Sequence, residues 1–300
     1  MRMVVGQSQA LSRASKRPER SFFQRARYLA ARHTSGVIGA VGLLIVVLVA
    51  LLAGVLATHS PTETDAVNRL LGVGAEGHLF GTDNLGRDVY SRTVYGTRVS
   101  LIVGVGVSLV AVVVGVAVGL IAGYYRRVDS ALMRLMDALM AFPGIVLAIG
   151  IMAMLGQSLL NVIIALGVVY MPRVARLVRS VVLGLRERQF VEAAQATGLA
   201  DIHILLRHIL PNIWSPVIVQ ATFIFAEGVL GEAGLSFLGI GPPPTIPSWG
   251  NMLGEARQFI REAPLLMVFP GAALTLMVLS LNLVGDGIRD LLDPRLRRRQ

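Results

Sequence analysis

Cysteine is absent from these 300 residues. That excludes disulfides and thiolate metal sites, and it leaves the redox compartment unreadable. Charge is scarce as well. Asp, Glu, Lys and Arg make up 15% of the chain, against roughly 25% in an ordinary soluble domain. No phosphate-cradling P-loop occurs, so the chain should not hydrolyse ATP itself. The histidines are His33, His59, His78, His203 and His208; none has another histidine four residues on, and there is no HExxH. A zinc protease is therefore disfavoured. GxSxG is missing too. Gly234-Leu235-Ser236 lacks the closing glycine, so Ser236 reads as a cap or turn residue rather than a nucleophile. Neither a solenoid or propeller period nor an inverted repeat is visible.

What fills the chain is apolar. Hydrophobic residues make up 54% of it. A helix crossing a bilayer needs about 20 mostly apolar residues, and several such runs are present. Residues 1–36 are a basic tail, with helical character expected near Phe22–Ala31. Val37–Ala57 is the first expected span. Val55-Leu56-Ala57 weakly resembles a signal-peptidase site, but the long leader and the length of the run favour an uncleaved helix. Residues 58–98 form a polar, glycine-rich loop. Further spans are expected at Val99–Tyr125, Leu135–Leu155 (with Asp137 near one end and Pro143 inside), Leu159–Met171 continuing through Pro172, Ile213–Val229 and Leu265–Val284. A Pro/Gly-rich loop covers 233–264, and 286–300 is a second basic tail.

Six spans put both ends of the chain on one side, together with the 126–134 loop and a polar island before Pro211. That side holds 22 of the 28 Lys and Arg residues, and the other side holds 6. The positive-inside rule makes the first side cytoplasmic. The net charge of +10 is thus an orientation signal spread between apolar segments. It is not a nucleic-acid-binding face.

The island, Phe190 to Asn212, is compact. Ala193, Ala194 and Ala196 favour a helix, Gly198 suits a left-handed helix end, and Asp201 can cap the next helix. Ile202, Leu205, Leu206 and Ile209 are spaced for one apolar face. Pro211 should stop or kink that helix. On these grounds alone the face would suit either a protein partner or the lipid headgroups. In the second span, Ala111, Gly115, Gly119 and Gly123 recur every four residues and share one helix face. Such a stripe packs against another helix, within the chain or on a second subunit.

Other features read plainly. Gly72-Val73-Gly74-Ala75-Glu76-Gly77 matches the dinucleotide fingerprint in letters, without the strand and helix that give it meaning, so it reads as a loop. Asp83, Arg87 and Asp88 are either an external contact cluster or a self-capped turn built on Gly81 and Gly86. Glu227 stands in the fifth expected span and Glu232 just beyond its end. An intramembrane carboxylate implies a cavity or a partner group. Glu227 therefore reads either as lining a translocation path or as hydrated near the outer interface.

Glu192-Ala193-Ala194, then Gly198, then Leu210-Pro211 resemble the EAA loop of ABC-importer permeases. His208 departs from the general pattern, which has an apolar residue there. Three further stretches resemble the C-type permeases of dipeptide, oligopeptide and nickel importers. They are Gly81-Thr82-Asp83-Asn84-Leu85-Gly86-Arg87-Asp88, Leu235-Ser236-Phe237-Leu238-Gly239 with Pro247-Ser248-Trp249-Gly250, and Asn282-Leu283-Val284-Gly285-Asp286-Gly287 through Asp293-Pro294-Arg295. Glu232 matches a position that this family also fills with Glu; Glu227 does not.

The resemblance implies an all-α, polytopic membrane protein of six transmembrane helices with the type I importer fold. Its transmembrane domain would span 99–285, with a cytoplasmic coupling loop at 184–211. Glu192, Ala193, Ala194, Gly198, Leu210 and Pro211 would couple to an ATPase. The implied partners are a second, related permease in a heterodimer, two cytoplasmic ATPase domains and an extracytoplasmic solute-binding protein. ATP and Mg would be used by the ATPase subunits, and this chain would need no cofactor. Cargo would be a dipeptide or oligopeptide, with nickel chelates or glutathione as alternatives. The host membrane would be the cytoplasmic membrane of a prokaryote. A secondary transporter without an ATPase is the rival class, and an intramembrane enzyme lacks the required constellation.

Overall fold

A computed structural model describes residues 34–292. The expected helix near Phe22–Ala31 and the Asp293-Pro294-Arg295 stretch lie outside the described residues. Apart from one isolated bridge between Thr82 and Asp88, the described residues form helices, turns and loops. The helices are α1 (Thr34–Leu51), α2 (Ala53–Leu56), α3 (Val89–Tyr124), α4 (Arg126–Met140), α5 (Gly144–Leu155), α6 (Leu159–Arg186), α7 (Gln189–Ala196), α8 (Asp201–Ile204), α9 (Leu210–Phe237), α10 (Trp249–Ala256) and α11 (Leu265–Leu292). A π-helical turn, Leu205–Ile209, joins α8 to α9.

Five helical stretches are long and apolar enough to cross a membrane: α1, α3, α6, Asp201–Phe237 and α11. A sixth exists if α4 and α5 count as one broken span. The third expected span is therefore not a straight helix. α4 and α5 meet at 94°, with Phe142-Pro143 at the corner. Proline lacks an N–H and drives the residue before it away from helical dihedrals, so the break falls there.

The second span also differs from expectation. α3 starts at Val89, ten residues before the expected Val99, because Asp88 caps it by accepting from the Ser91 N–H at 2.7 Å. Its first turns are polar in sequence, yet Ser91, Arg92, Thr93 and Thr97 are buried. Trp249 of α10 lies across them and donates its indole N–H to the Thr93 carbonyl at 2.9 Å. α3 is 36 residues long, about 54 Å at 1.5 Å per residue. It outruns the roughly 30 Å hydrocarbon layer, and the excess packs against protein. α11 likewise runs on through Asp286, inside the stretch expected to be tail.

The core lies where α3, α6 and α9 meet. The small-residue stripe makes that approach possible. A methyl group added at Gly115 would lie 2.6 Å from Val174 Cβ, and at Gly119 it would lie 2.6 Å from the Ala175 carbonyl oxygen. At Gly123 it would lie 2.7 Å from Val182 Cβ. Ala111 is fully buried on the same face. The stripe thus packs within the chain, against α6, rather than on a second subunit.

α1 runs antiparallel to α11, with Gly36 close to Gly287 and Gly39 close to Leu283. Its other end is held by Arg98, which donates to the Ala50 carbonyl at 2.5 Å and the Leu51 carbonyl at 3.1 Å. Both ends of the described chain therefore share the end of the bundle that carries the island. Val37, Ile38, Val41, Leu44, Ile45 and Leu48 of α1 stay exposed, which leaves an apolar face for lipid.

Candidate functional site: the island and the polar groups within the bundle

The island begins where α6 ends. Arg186 donates to the carbonyls of Gly123 and Tyr124 at 3.3 and 3.2 Å. Those carbonyls belong to the last turn of α3, which has no further helical N–H to satisfy them. α7 then runs eight residues and stops at Gly198, whose φ is +76°. The Gly198 N–H donates to the Gln195 carbonyl at 2.9 Å and the Leu199 N–H to the Ala194 carbonyl at 3.3 Å. This is a Schellman ending, in which glycine takes the left-handed position without a Cβ penalty.

Asp201 does not cap α8 with its side chain. Ala200 occupies the cap position, and the Asp201 carboxylate instead accepts from the Tyr124 hydroxyl at 2.8 Å. Pro211 does not stop the helix either. The Leu210 N–H bonds back to the Leu205 carbonyl, an i→i−5 bond of the π-turn. The extra residue relieves the clash that a proline ring makes with the preceding turn. The Asn212 side chain takes up the His208 carbonyl at 2.7 Å. The fifth span therefore begins at Asp201, with Pro211 in its interior, and not at Ile213.

Which faces the island buries also differs from the expected set. Val191, Ala194, Ile204, Leu205 and Ile209 turn into the bundle. Ile202 and Leu206 turn outward at 60% and 54% exposure, joined by Phe190 at 43% and Leu199 at 40%. Glu192, Ala193, Gly198 and Pro211 are exposed as well, Leu210 is half-buried, and Ala194 is inside. The island thus has two apolar faces, one satisfied by this chain and one open. A fully amphipathic helix resting on the bundle would leave only polar residues outside.

Glu227 is not a lone carboxylate. Arg173 Nη1 of α6 donates to both of its oxygens, at 2.7 and 2.5 Å. Both side chains are partly exposed, 47% for Arg173 and 39% for Glu227. Tyr170 steadies the pair: its hydroxyl donates to the Glu227 carbonyl at 3.1 Å, and the guanidinium lies 5.6 Å from its ring centre. Glu227 and Tyr170 border a cavity of about 290 Å³, with Ile145, Leu166, Leu230 and two glycines. Glu232 goes elsewhere. It is buried, and the Ser236 hydroxyl donates to it at 2.7 Å. Ser236 is thus a hydrogen-bond partner in a helix turn.

Arg173 and Tyr170 are the residues that sequence reasoning missed, since Arg173 counted only as an orientation charge. The available signal was an arginine just past the fourth apolar run and a glutamate of opposite sign inside the fifth. The neighbouring arginines tie α6 to α4: Arg176 bonds Asp137 at 2.5 Å, and Arg179 bonds both oxygens of Asp129 at 2.5 and 2.6 Å.

At the opposite end of the bundle, the 81–88 stretch is a capped turn tied to the 65–78 loop and to α10. Gly81 and Gly86 both have φ of +76°. Asp83 accepts from the N–H groups of Leu85 and Arg87 at 2.8 and 3.0 Å. Arg87 bonds Asp83 at 2.6 Å and also reaches Glu255 of α10. Burial pushes the Asp88 carboxyl up, but hydrogen bonds from Ser91 and His78 outweigh it and hold the group below the ordinary carboxylate range. The α3 cap is therefore ionised above that range and lost only as pH falls through the lowered value. The Gly72–Gly77 stretch is a loop with one 3₁₀ turn at Ala75–Gly77 and no strand before it.

Comparison with known proteins agrees with this architecture. Residues 115–298 match the family described as binding-protein-dependent transport system inner membrane component. Residues 21–72 match the N-terminal TM domain of oligopeptide transport permease C. A putative peptide transport system permease protein of Brucella abortus is 51% identical over 266 residues, covering 89% of this chain and 90% of that protein. A dipeptide transport system permease protein of Alkalihalophilus pseudofirmus is 48% identical over 261 residues, 86% of each chain. A glutathione transport system permease protein of Pectobacterium atrosepticum is 44% identical over 221 residues, 73% of each. Among solved structures, an inward-facing form of the MetNI methionine ABC transporter aligns with a TM-score of 0.56 at 20% identity. That alignment covers 67% of this chain and 96% of that one, and at this identity it speaks for the fold alone. With the matched residues spanning most of its helices, the chain is a member of the binding-protein-dependent transport system inner membrane component family.

Proposed function

We propose that this chain is the membrane-spanning permease subunit of an ATP-driven importer of small peptides. A second, related permease would complete a heterodimer. Two ATPase domains, using ATP and Mg, would sit against the island on the cytoplasmic side, and an extracytoplasmic binding protein would deliver cargo. Both termini would then lie in the cytoplasm, a reading that the arginine distribution supports. The observation that carries this reading is the open apolar crest of Phe190, Leu199, Ile202 and Leu206. It stands on an island that Tyr124 and Arg186 fasten to the end of α3. A push on that crest is transmitted to α3 and α9 together. Alternating access needs contacts that differ between two states, and this junction is where a partner would make them.

The relatives' names support peptides as cargo. Glutathione, itself a small peptide carried by one relative's system, is the second reading. Uptake decides between them. Cells with and without this gene are given a mixed peptide pool, and its depletion is followed by mass spectrometry. Loss of uptake of one length class is the expected result. Unchanged depletion of every peptide, with glutathione uptake lost, would establish the second reading. The crest is tested separately. Because the chain has no cysteine, Ile202→Cys introduces a single thiol. It should cross-link to the ATPase subunit in the assembled transporter, and Val67→Cys should not.

A further inference from the structure

The Arg173–Glu227 pair differs from Arg179–Asp129 in its bonding and from the equally open Arg176–Asp137 pair in bordering a cavity. Arg173 and Glu227 lie well inside two membrane-spanning helices, yet both side chains are about half open. A charge facing lipid at such depth costs about 3 kcal/mol or more. The open side of this pair must therefore meet water, a partner or cargo.

The way the guanidinium is used narrows the choice. Arg179 commits both Nε and Nη2 to Asp129, the fork geometry of a finished structural bridge. Arg173 gives Glu227 only Nη1. Its Nε and Nη2 have no partner among the described residues, so the fork can still take a second carboxylate. Glu227 has one cationic partner on one side and the cavity on the other. The cavity wall is otherwise apolar, with Ile145, Leu166 and Leu230, and Gly231 lets α9 approach Leu166 and Tyr170 closely. A methyl group at Gly231 would lie 2.9 Å from Leu166 Cδ2 and 3.1 Å from the Tyr170 hydroxyl. At about 290 Å³ the space is at the small end of ligand sites.

We propose that Arg173 and Glu227 form a cargo site for zwitterionic short peptides, Arg173 taking the terminal carboxylate and Glu227 the α-ammonium. This rests on the reading that the cargo is peptide. A zwitterion suits the pair because neither partner is left with an unmatched charge when cargo enters or leaves. The bond between the two side chains is exchanged for two charge-assisted bonds to the peptide ends. Such an exchange is close to balanced, which favours brief occupancy over tight capture. The apolar wall accommodates a side chain without selecting its chemistry. Tyr170 holds the frame, since its ring and hydroxyl contact Arg173 and the Glu227 backbone respectively.

The test is uptake of a labelled dipeptide by the assembled transporter in liposomes, with binding protein saturating. Arg173→Gln and Glu227→Gln should each lower the rate roughly tenfold or more, the cost of one lost charge-assisted bond. The double variant separates cargo recognition from structure. A pair that only neutralises itself is repaired when both charges are removed together. A cargo site is not, so the double variant should be no faster than either single one. ATP hydrolysis stimulated by loaded binding protein should persist in all three. Recovery of uptake in the double variant, or loss of its stimulated hydrolysis, would make the pair structural and overturn the proposal. Failure of the unaltered transporter to import any peptide would instead overturn the peptide reading itself.

Discussion

At the scale of single residues, glycine decides how closely this bundle packs, and its positions are not equivalent. A methyl group at Gly119 would meet the Ala175 carbonyl oxygen at 2.6 Å and Val178 Cβ at 2.7 Å. One neighbour is backbone and the other a branched carbon on a helix, so neither yields easily. Gly119→Val should destabilise the permease by about 1–3 kcal/mol, the usual range for overpacking. A lowered thermal midpoint of the purified transporter would show it. Gly150 is the control. Nothing lies within 4 Å of a methyl group there, and α5 is helical throughout. Gly150→Ala should be neutral or stabilising by up to about 1 kcal/mol. Equal damage at both sites would mean that helix approach is not what the stripe provides. The spacing of Ala111, Gly115, Gly119 and Gly123 was legible in the sequence, but its partner was not. A four-residue period states that something comes close, and only the fold says that it is α6.

Among elements, the junction of island and bundle carries the argument. A helix, a tight turn at Gly198 and a second helix were all readable from Ala-rich spacing and one glycine. The continuation through Pro211 was not. A proline normally ends a helix because its ring meets the preceding turn, and the π-turn at Leu205–Ile209 is a tertiary remedy with no sequence signature. The inner and outer faces were not legible either: Ile202 and Ile204 both precede the π-turn, and apolar spacing alone does not say which of them meets the bundle. Two variants probe the junction. Tyr124→Phe removes the 2.8 Å bond to Asp201, worth about 1 kcal/mol. It should leave membrane levels near normal while lowering transport. Gly198→Trp places a bulky group in open space at a φ of +76°, which costs about 1–2 kcal/mol in backbone strain. The permease should still insert and should lose transport, with the ATPase no longer stimulated by loaded binding protein. Normal uptake by Gly198→Trp at normal expression would mean the island does not transmit the stroke.

For the whole molecule, two independent features bear on orientation. The arginine count is the ground for expecting the termini and the island on the cytoplasmic face of the membrane. The packing of Gly36 on Gly287 and the reach of Arg98 to Ala50 and Leu51 put the start of α1 and the end of α11 at the island end of the bundle. The second feature says that these two helix ends are together; only the first bears on which compartment they face. A bent third span does not disturb this, because α4 and α5 still carry the chain from the island end toward Ser158 and the start of α6. The expectation is directly measurable in a chain without cysteine. Val67 is 91% exposed in the loop before α3, and Ile202 is 60% exposed on the crest. A membrane-impermeant thiol reagent should label Val67→Cys in intact cells and Ile202→Cys only after permeabilisation. The reverse pattern would place the island outside the cell, where no ATPase could reach it, and the coupling mechanism would fall with it. The expected pattern would leave Arg173 and Glu227 between the two labelled faces, as the proposed cargo site requires.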